Sequence, residues 1–206
     1  MFRFTTNEIR DLIVSFLIIS LGFSILYSNR NLNAILTIFP MVLVGVGLGF
    51  VVHEIAHKLA SLHYDFWAEY KLWAPGLLIA IISSFFGFIF AAPGAVHIYG
   101  NNMTKKENGV ISFVGPLTNI ILSVIFLGLY LNSGIFMGLR ITTFYLLQST
   151  FYLGFAINAF LALFNLIPFG IFDGAKVLRW NSIIWIASIV ISGILVYLSY
   201  TGVGFL

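Results

Sequence analysis

Four histidines and seven acidic residues are the whole supply of metal ligands and acid–base groups in this chain of 206 residues, which has no cysteine. Two of the histidines and one carboxylate fall together in Val51-Val52-His53-Glu54-Ile55-Ala56-His57, an H-E-x-x-H pattern. On a helix His53 and His57 lie about 40° apart on one face, where two imidazoles can grip one divalent ion. Glu54 falls beside them, placed to take a proton from an attacking water and later deliver it to a leaving amine. Closer histidines would point apart, and a glutamate elsewhere would miss the water. The bland alternative is a buried polar cluster that satisfies itself, but that would set costly residues in an apolar stretch without a purpose.

A catalytic zinc takes three protein ligands and keeps a fourth position open, so a third ligand is required. His63 lies beyond His57 at a spacing that works when a glycine turns the chain back to the metal. Here that position is Ala60, and on an unbroken helix His63 points away. Asp65 and Glu69 come after the helix, among Tyr64, Phe66 and Trp67, in what reads as an interfacial loop. His97 could fold back, but reads better as an interfacial or substrate-side residue. Asp173 is the strongest candidate. It stands in Asn165-Leu166-Ile167-Pro168-Phe169-Gly170-Ile171-Phe172-Asp173-Gly174, where a proline and two glycines break a helix and free backbone groups to line a polar cavity. The same aspartate could instead simply cap the helix that follows.

These residues must be held by apolar elements. The chain is 60% hydrophobic and only 8% charged, with 22 phenylalanines, whereas soluble domains carry about 25% charged residues. The net charge of +3 is small and scattered, which argues against nucleic-acid binding. The expected fold is an all-α polytopic membrane protein. Five stretches approach or exceed the ~20 residues needed to cross: Leu12 to Tyr27, Ala34 to about Leu62, Val110 to Leu131, Ile141 to Phe164, and Ile183 to Tyr200. The first is expected to be a retained span, not a cleaved signal. A further apolar stretch, Trp73 to Ala92, is bracketed by Pro75-Gly76 and Pro93-Gly94 and is either a sixth span or a re-entrant segment.

Charge favours re-entry. If the stretch crosses, the cationic residues divide evenly between the two sides. If it returns, Arg3, Arg10, Lys58, Lys71, Lys105, Lys106, Lys176 and Arg179 share one side and only Arg30 and Arg140 the other. That bias puts the N-terminus and the metal site toward the cytoplasm. The Gly94–Tyr99 stretch is then free to form a short extended edge near the site, and a short β-hairpin near residues 93–100 fits that pattern. Such an edge could take an unwound peptide by strand addition. Gly45, Gly47 and Gly49, upstream of His53, suit close helix packing.

Taken together, His53-Glu54-x-x-His57 and Asn165-x-x-Pro168-x-x-x-x-Asp173-Gly174 resemble the site-2 protease family of intramembrane zinc metalloproteases. Gly115-Pro116-Leu117-Thr118-Asn119 resembles the start of that family's middle core helix, so the likeness runs from about residue 34 to residue 174. The resemblance implies one Zn2+ per chain held by His53, His57 and Asp173, with Glu54 activating the water. It also implies that Asn165 lies near the active site, holding substrate or the developing oxyanion. Asn119 is a candidate for the same role or for a plain interhelical contact. The implied partners are transmembrane protein substrates in the lipid bilayer, as in regulated intramembrane proteolysis. The resemblance also implies that the zinc ligands meet on one side of the membrane, which needs an even number of crossings between His57 and Asp173. Residues 1–206 read as one domain without a PDZ or CBS module. Two rivals are a zinc-binding transporter or channel and an inactive homologue that binds membrane helices. A transporter has no need of Glu54 beside His53.

Overall fold

In hydrocarbon every backbone N–H and C=O must find a partner within the protein, which favours long uninterrupted helices. The computed structural model describes residues 3–100 and 102–201. Its elements run α1 (Thr6–Tyr27), α2 (Leu32–Val46), a π-helical turn (Gly47–Val51), α3 (Val52–His63), β1 (Trp67–Leu72), α4 (Ala74–Ser84), β2 (Gly94–Tyr99), α5 (Lys105–Leu131), a 3-10 turn (Ser133–Phe136), α6 (Ile141–Asn165), α7 (Asp173–Trp180) and α8 (Ser182–Thr201). Among the described residues, five helical rods are long and apolar enough to cross a membrane: α1, the continuous Leu32–His63 rod, α5, α6 and α8. This is the all-α polytopic membrane fold that composition predicts.

The Trp73–Ala92 stretch turns back. The helix α4 has 11 residues, about 16 Å at 1.5 Å per residue, roughly half a hydrocarbon core of about 30 Å. The chain then reverses through Gly87, whose φ of +88° suits glycine. It comes back beside its own start, where the Trp73 N–H donates to the Pro93 carbonyl at 2.7 Å. From that neck β1 and β2 run on as an antiparallel pair, in register from Trp67 opposite Tyr99 to Leu72 opposite Gly94. The expected strand near residues 93–100 therefore exists, but not as a local hairpin. Its partner is the segment 67–72, which sequence reasoning left as a loop because nothing local announces a pairing across a re-entrant excursion.

Two further expectations change. The first span begins earlier than Leu12, at a capping box in which the Thr5 hydroxyl accepts from the Glu8 N–H and the Glu8 carboxylate accepts from the Thr5 N–H. Glu8 and Asp11 thus belong to α1, and both are buried. Lys58, one of the cations assigned to the N-terminal side, is also buried and forms an ion pair with Glu8 at 2.5 Å. It drops out of the charge asymmetry, and the bias survives without it.

The upstream glycines act through packing. A Cβ at Gly45 would stand 3.2 Å from the Gly154 Cα, and one at Gly49 would stand 2.8 Å from Asn158 Oδ1. The α2–α3 rod therefore lies close against α6. Breaking the buried Glu8–Lys58 pair from one side strands a charge, at a cost of about 3–5 kcal/mol, whereas exchanging both partners for apolar residues is often near neutral. Lys58→Ala should lower the unfolding midpoint in detergent markedly. The double change Glu8→Met with Lys58→Met should recover most of that loss in the same denaturation measurement.

Candidate metal centre

The trio that sequence proposes comes together. His53 and His57 project from α3, and Asp173 opens α7 on the far side of two crossings by α5 and α6. The His53 and His57 Nε2 atoms are 2.9 Å apart. Asp173 Oδ2 stands 3.4 Å from the first and 3.1 Å from the second. His53 and His57 are buried and Asp173 is partly buried, and they form the one group of three metal-ligating side chains among the described residues.

Whether this trio suits a cation can be tested from the hydrogen bonds around it. Asn158, buried in α6, gives its amide hydrogens to the Gly154 and Gly45 carbonyls, at 2.8 and 3.3 Å, which can only accept. Its Oδ1 is thereby turned to Asn119, whose Nδ2 donates to it and to the Gly49 carbonyl, both at 3.0 Å. That fixes Asn119 Oδ1 as the acceptor facing His53 Nδ1, at 2.6 Å. His57 Nδ1 likewise meets the Ile111 carbonyl at 2.6 Å. Both Nδ1 atoms must carry the proton, so in the neutral rings both Nε2 atoms are bare lone pairs. Two lone pairs and a carboxylate oxygen then converge with no proton among them, an arrangement that repels itself unless a cation sits between. Zinc bonds of about 2.0–2.1 Å in tetrahedral geometry put ligand atoms about 3.3–3.4 Å apart, close to the spacing found. The residues fit a zinc ion.

Local sequence explains how each ligand is held. Gly115 in α5 lies flat against the imidazoles: a Cβ there would be 2.4 Å from His57 Nε2 and 2.7 Å from His53 Cε1. A Cβ on Gly174 would fall 2.1 Å from the Leu166 carbonyl oxygen, so the Asp-Gly pair is what lets α7 fold back onto the broken end of α6. The Asp173 side chain does not cap α7, and its oxygens go instead to the histidines and to Lys176 Nζ, 3.6 Å from Oδ1.

Glu54 is buried, and no hydrogen bond engages its carboxylate among the described residues. It borders two adjoining cavities. The larger, about 350 Å³, runs between α1, α3 and the re-entrant segment and reaches His97, Lys71 and Phe172. The smaller, about 60 Å³, lies over His53, His57 and Asp173 and against β2. Asn165 lines both. One of its amide hydrogens bonds the Leu161 carbonyl, and a second remains for another partner. Asn119, proposed beside it for substrate or oxyanion contact, has both amide hydrogens committed and orients His53. His63 and His97 are exposed and stand outside the trio.

Sequence reasoning passed over Asn158, the orienting end of the amide chain, and gave no place at the site to Gly115, the floor under the imidazoles, or to Lys176. A polar side chain in the middle of the α6 span was a usable signal for the first.

Together these features describe a polytopic membrane protein with a His-His-Asp group able to hold a metal ion and a buried carboxylate, Glu54, beside it. Comparison with known proteins agrees. A protein of Methanocaldococcus jannaschii named "Putative zinc metalloprotease MJ0611" is 40% identical over 203 residues, covering 97% of this chain and 98% of that protein. The chain belongs to the family of zinc metalloproteases that this archaeal protein represents. No family model matches the chain, and no solved structure matches it.

Outer-shell partners of metal-binding histidines are commonly worth about 10–100-fold in metal affinity. Asn119→Ala should weaken zinc retention by about that factor, read by competition with a chromogenic chelator. Gly115→Ala should act in the same direction by displacing both rings.

Proposed function

We propose that the chain is an intramembrane protease of the site-2 type, hydrolysing peptide bonds in or beside the membrane-spanning segments of other membrane proteins. The observation that carries this reading is the location of the centre. The ligands sit where helices end and break, next to a cavity that reaches the re-entrant segment, with membrane-crossing rods around them. Tryptophans favour the membrane–water boundary, and all four of them, Trp67, Trp73, Trp180 and Trp185, occur in or beside β1, α4, α7 and the start of α8. Together with the cation bias, this supports a centre near the cytoplasmic face.

His53, His57 and Asp173 would hold the zinc, which when bound supplies a Lewis acid for the scissile carbonyl and makes water more acidic. Glu54 takes the proton from the attacking water and later hands it to the leaving amide nitrogen. Its lack of hydrogen-bond partners leaves it free for both transfers. Asn165 offers its uncommitted N–H to the substrate carbonyl. Lys176 occupies the other Asp173 oxygen and keeps that carboxylate turned toward the histidines.

A membrane helix must unwind before its peptide bonds can be reached, and an extended peptide needs a partner for its backbone. The ladder parity supplies one. The Tyr70 and Leu72 N–H groups point away from β2, toward α1, and Trp73 bonds Pro93. Odd-numbered β1 residues therefore exchange bonds with β2, and the backbone groups of Gly94, Val96 and Ile98 face outward on the other side. Those three residues border the small cavity over His53 and Glu54. A substrate strand added there would run past the zinc trio.

Glu54→Gln should abolish cleavage of an unfolded casein probe in detergent while zinc stays at about one per chain, and 1,10-phenanthroline should stop the native protein. Cleavage that persists in Glu54→Gln sinks the protease reading. Val96→Pro removes an outward donor and spares the β1 ladder, so it should abolish cleavage with the fold intact. His97→Pro should damage the sheet itself.

A further inference from the structure

The Glu8–Lys58 pair is a buried ion pair that the chemistry above does not use. Glu8 Oε2 takes Lys58, the residue directly after His57, while Glu8 Oε1 accepts the outward Tyr70 N–H at 3.1 Å. One turn further along α1, Asp11 Oδ2 accepts the outward Leu72 N–H at 3.3 Å. Beyond them the Tyr70 hydroxyl donates to Ser15 Oγ at 2.9 Å, and the Thr5 hydroxyl donates to Glu69. Two carboxylates spaced by a helix turn thus meet two alternate N–H groups of a strand, the positions where a neighbouring strand would have offered carbonyls.

A sheet of two strands has two outer edges, and each is a template for further pairing. If peptide adds to this sheet, as the reading above holds, both edges compete for it, and only the β2 edge borders the zinc trio. We infer that Glu8 and Asp11 are positioning residues that stand in for a third strand along β1, closing that edge so that substrate peptide can add at β2 alone. The inference rests on strand addition at β2. It assigns α1 a part in specificity: its carboxylates convert a symmetric pair of edges into a one-sided acceptor. Lys58 neutralises Glu8 and ties the closed edge to the helix that carries both histidines.

Disulfide trapping can test this cleanly, because the chain has no native cysteine and a disulfide forms only when Cα atoms approach to about 4.4–6.8 Å. The probe is a synthetic decapeptide of alternating threonine and valine with one central cysteine. It is offered to Glu54→Gln protein carrying either Ala95→Cys on β2 or Lys71→Cys on β1. With the carboxylates intact, the peptide should be trapped at Ala95→Cys and not at Lys71→Cys. Adding Asp11→Ala, alone or with Glu8→Met and Lys58→Met, should raise trapping at Lys71→Cys by about tenfold or more. Zinc content and melting temperature establish that each variant is folded, and the single Asp11→Ala change serves if the triple one is not. Trapping at Lys71→Cys with the carboxylates in place overturns the inference, as does its absence from a folded Asp11→Ala variant. Failure to trap at Ala95→Cys in every background removes strand addition itself, a separate outcome from the loss of the closed edge.

Discussion

Two imidazole lone pairs and a carboxylate oxygen converge within 2.9–3.4 Å of one another with no proton between them. Left alone, that arrangement pushes itself apart, and most of the surrounding structure is intelligible as the means of keeping it together. The two ring orientations are fixed from behind by acceptors that cannot change role: the Ile111 carbonyl for His57, and for His53 an amide chain that ends on the Gly45, Gly49 and Gly154 carbonyls. In a low-dielectric interior such a fully satisfied network is rigid, and a half-satisfied one would be costly.

The membrane makes that rigidity affordable to fold. Long helices satisfy their own backbones, so the chain can spend its few polar side chains on the centre. The π-helical turn before α3 and the break after α6 are the two departures from regular helix near the ligands. Both lie beside glycines whose missing side chains let backbone or amide groups approach, Gly49 against Asn158 and Gly174 against Leu166. The π-helical turn buries Gly49 and Phe50, and the break after α6 buries Leu166 while Phe169, Gly170 and Ile171 stay exposed.

Much of this was legible in the sequence, and for physical reasons. The spans follow from apolar length; scarcity of histidines and carboxylates made Asp173 the strongest third candidate beside His53 and His57, and the resemblance to the site-2 protease family is what implied the trio. The direction of the Trp73–Ala92 segment was readable from charge. What stayed hidden are contacts without a local pattern. The pairing of β1 with β2 joins segments separated by a whole re-entrant excursion, and a six-residue strand of mixed character reads as loop. Glu8 and Lys58 look like ordinary flanking charges until α1 and α3 are placed side by side. Asn119 stayed open between substrate contact and interhelical contact because sequence shows that an amide is present but not which of its atoms are already occupied.

The neck between Trp73 and Pro93 separates two kinds of chain. Above it, the excursion is held by its side chains: Leu77, Ala80 and Ile89 pack into the core against α1, and Phe90 rests on Phe164 and Phe172. Below it, the two strands count residues strictly. Gaining or losing one position in β2 would rotate its outward donors into the ladder and its ladder donors outward. One side of that single hydrogen bond is thus governed by packing and the other by an arithmetic of two, whatever the distance from the metal site.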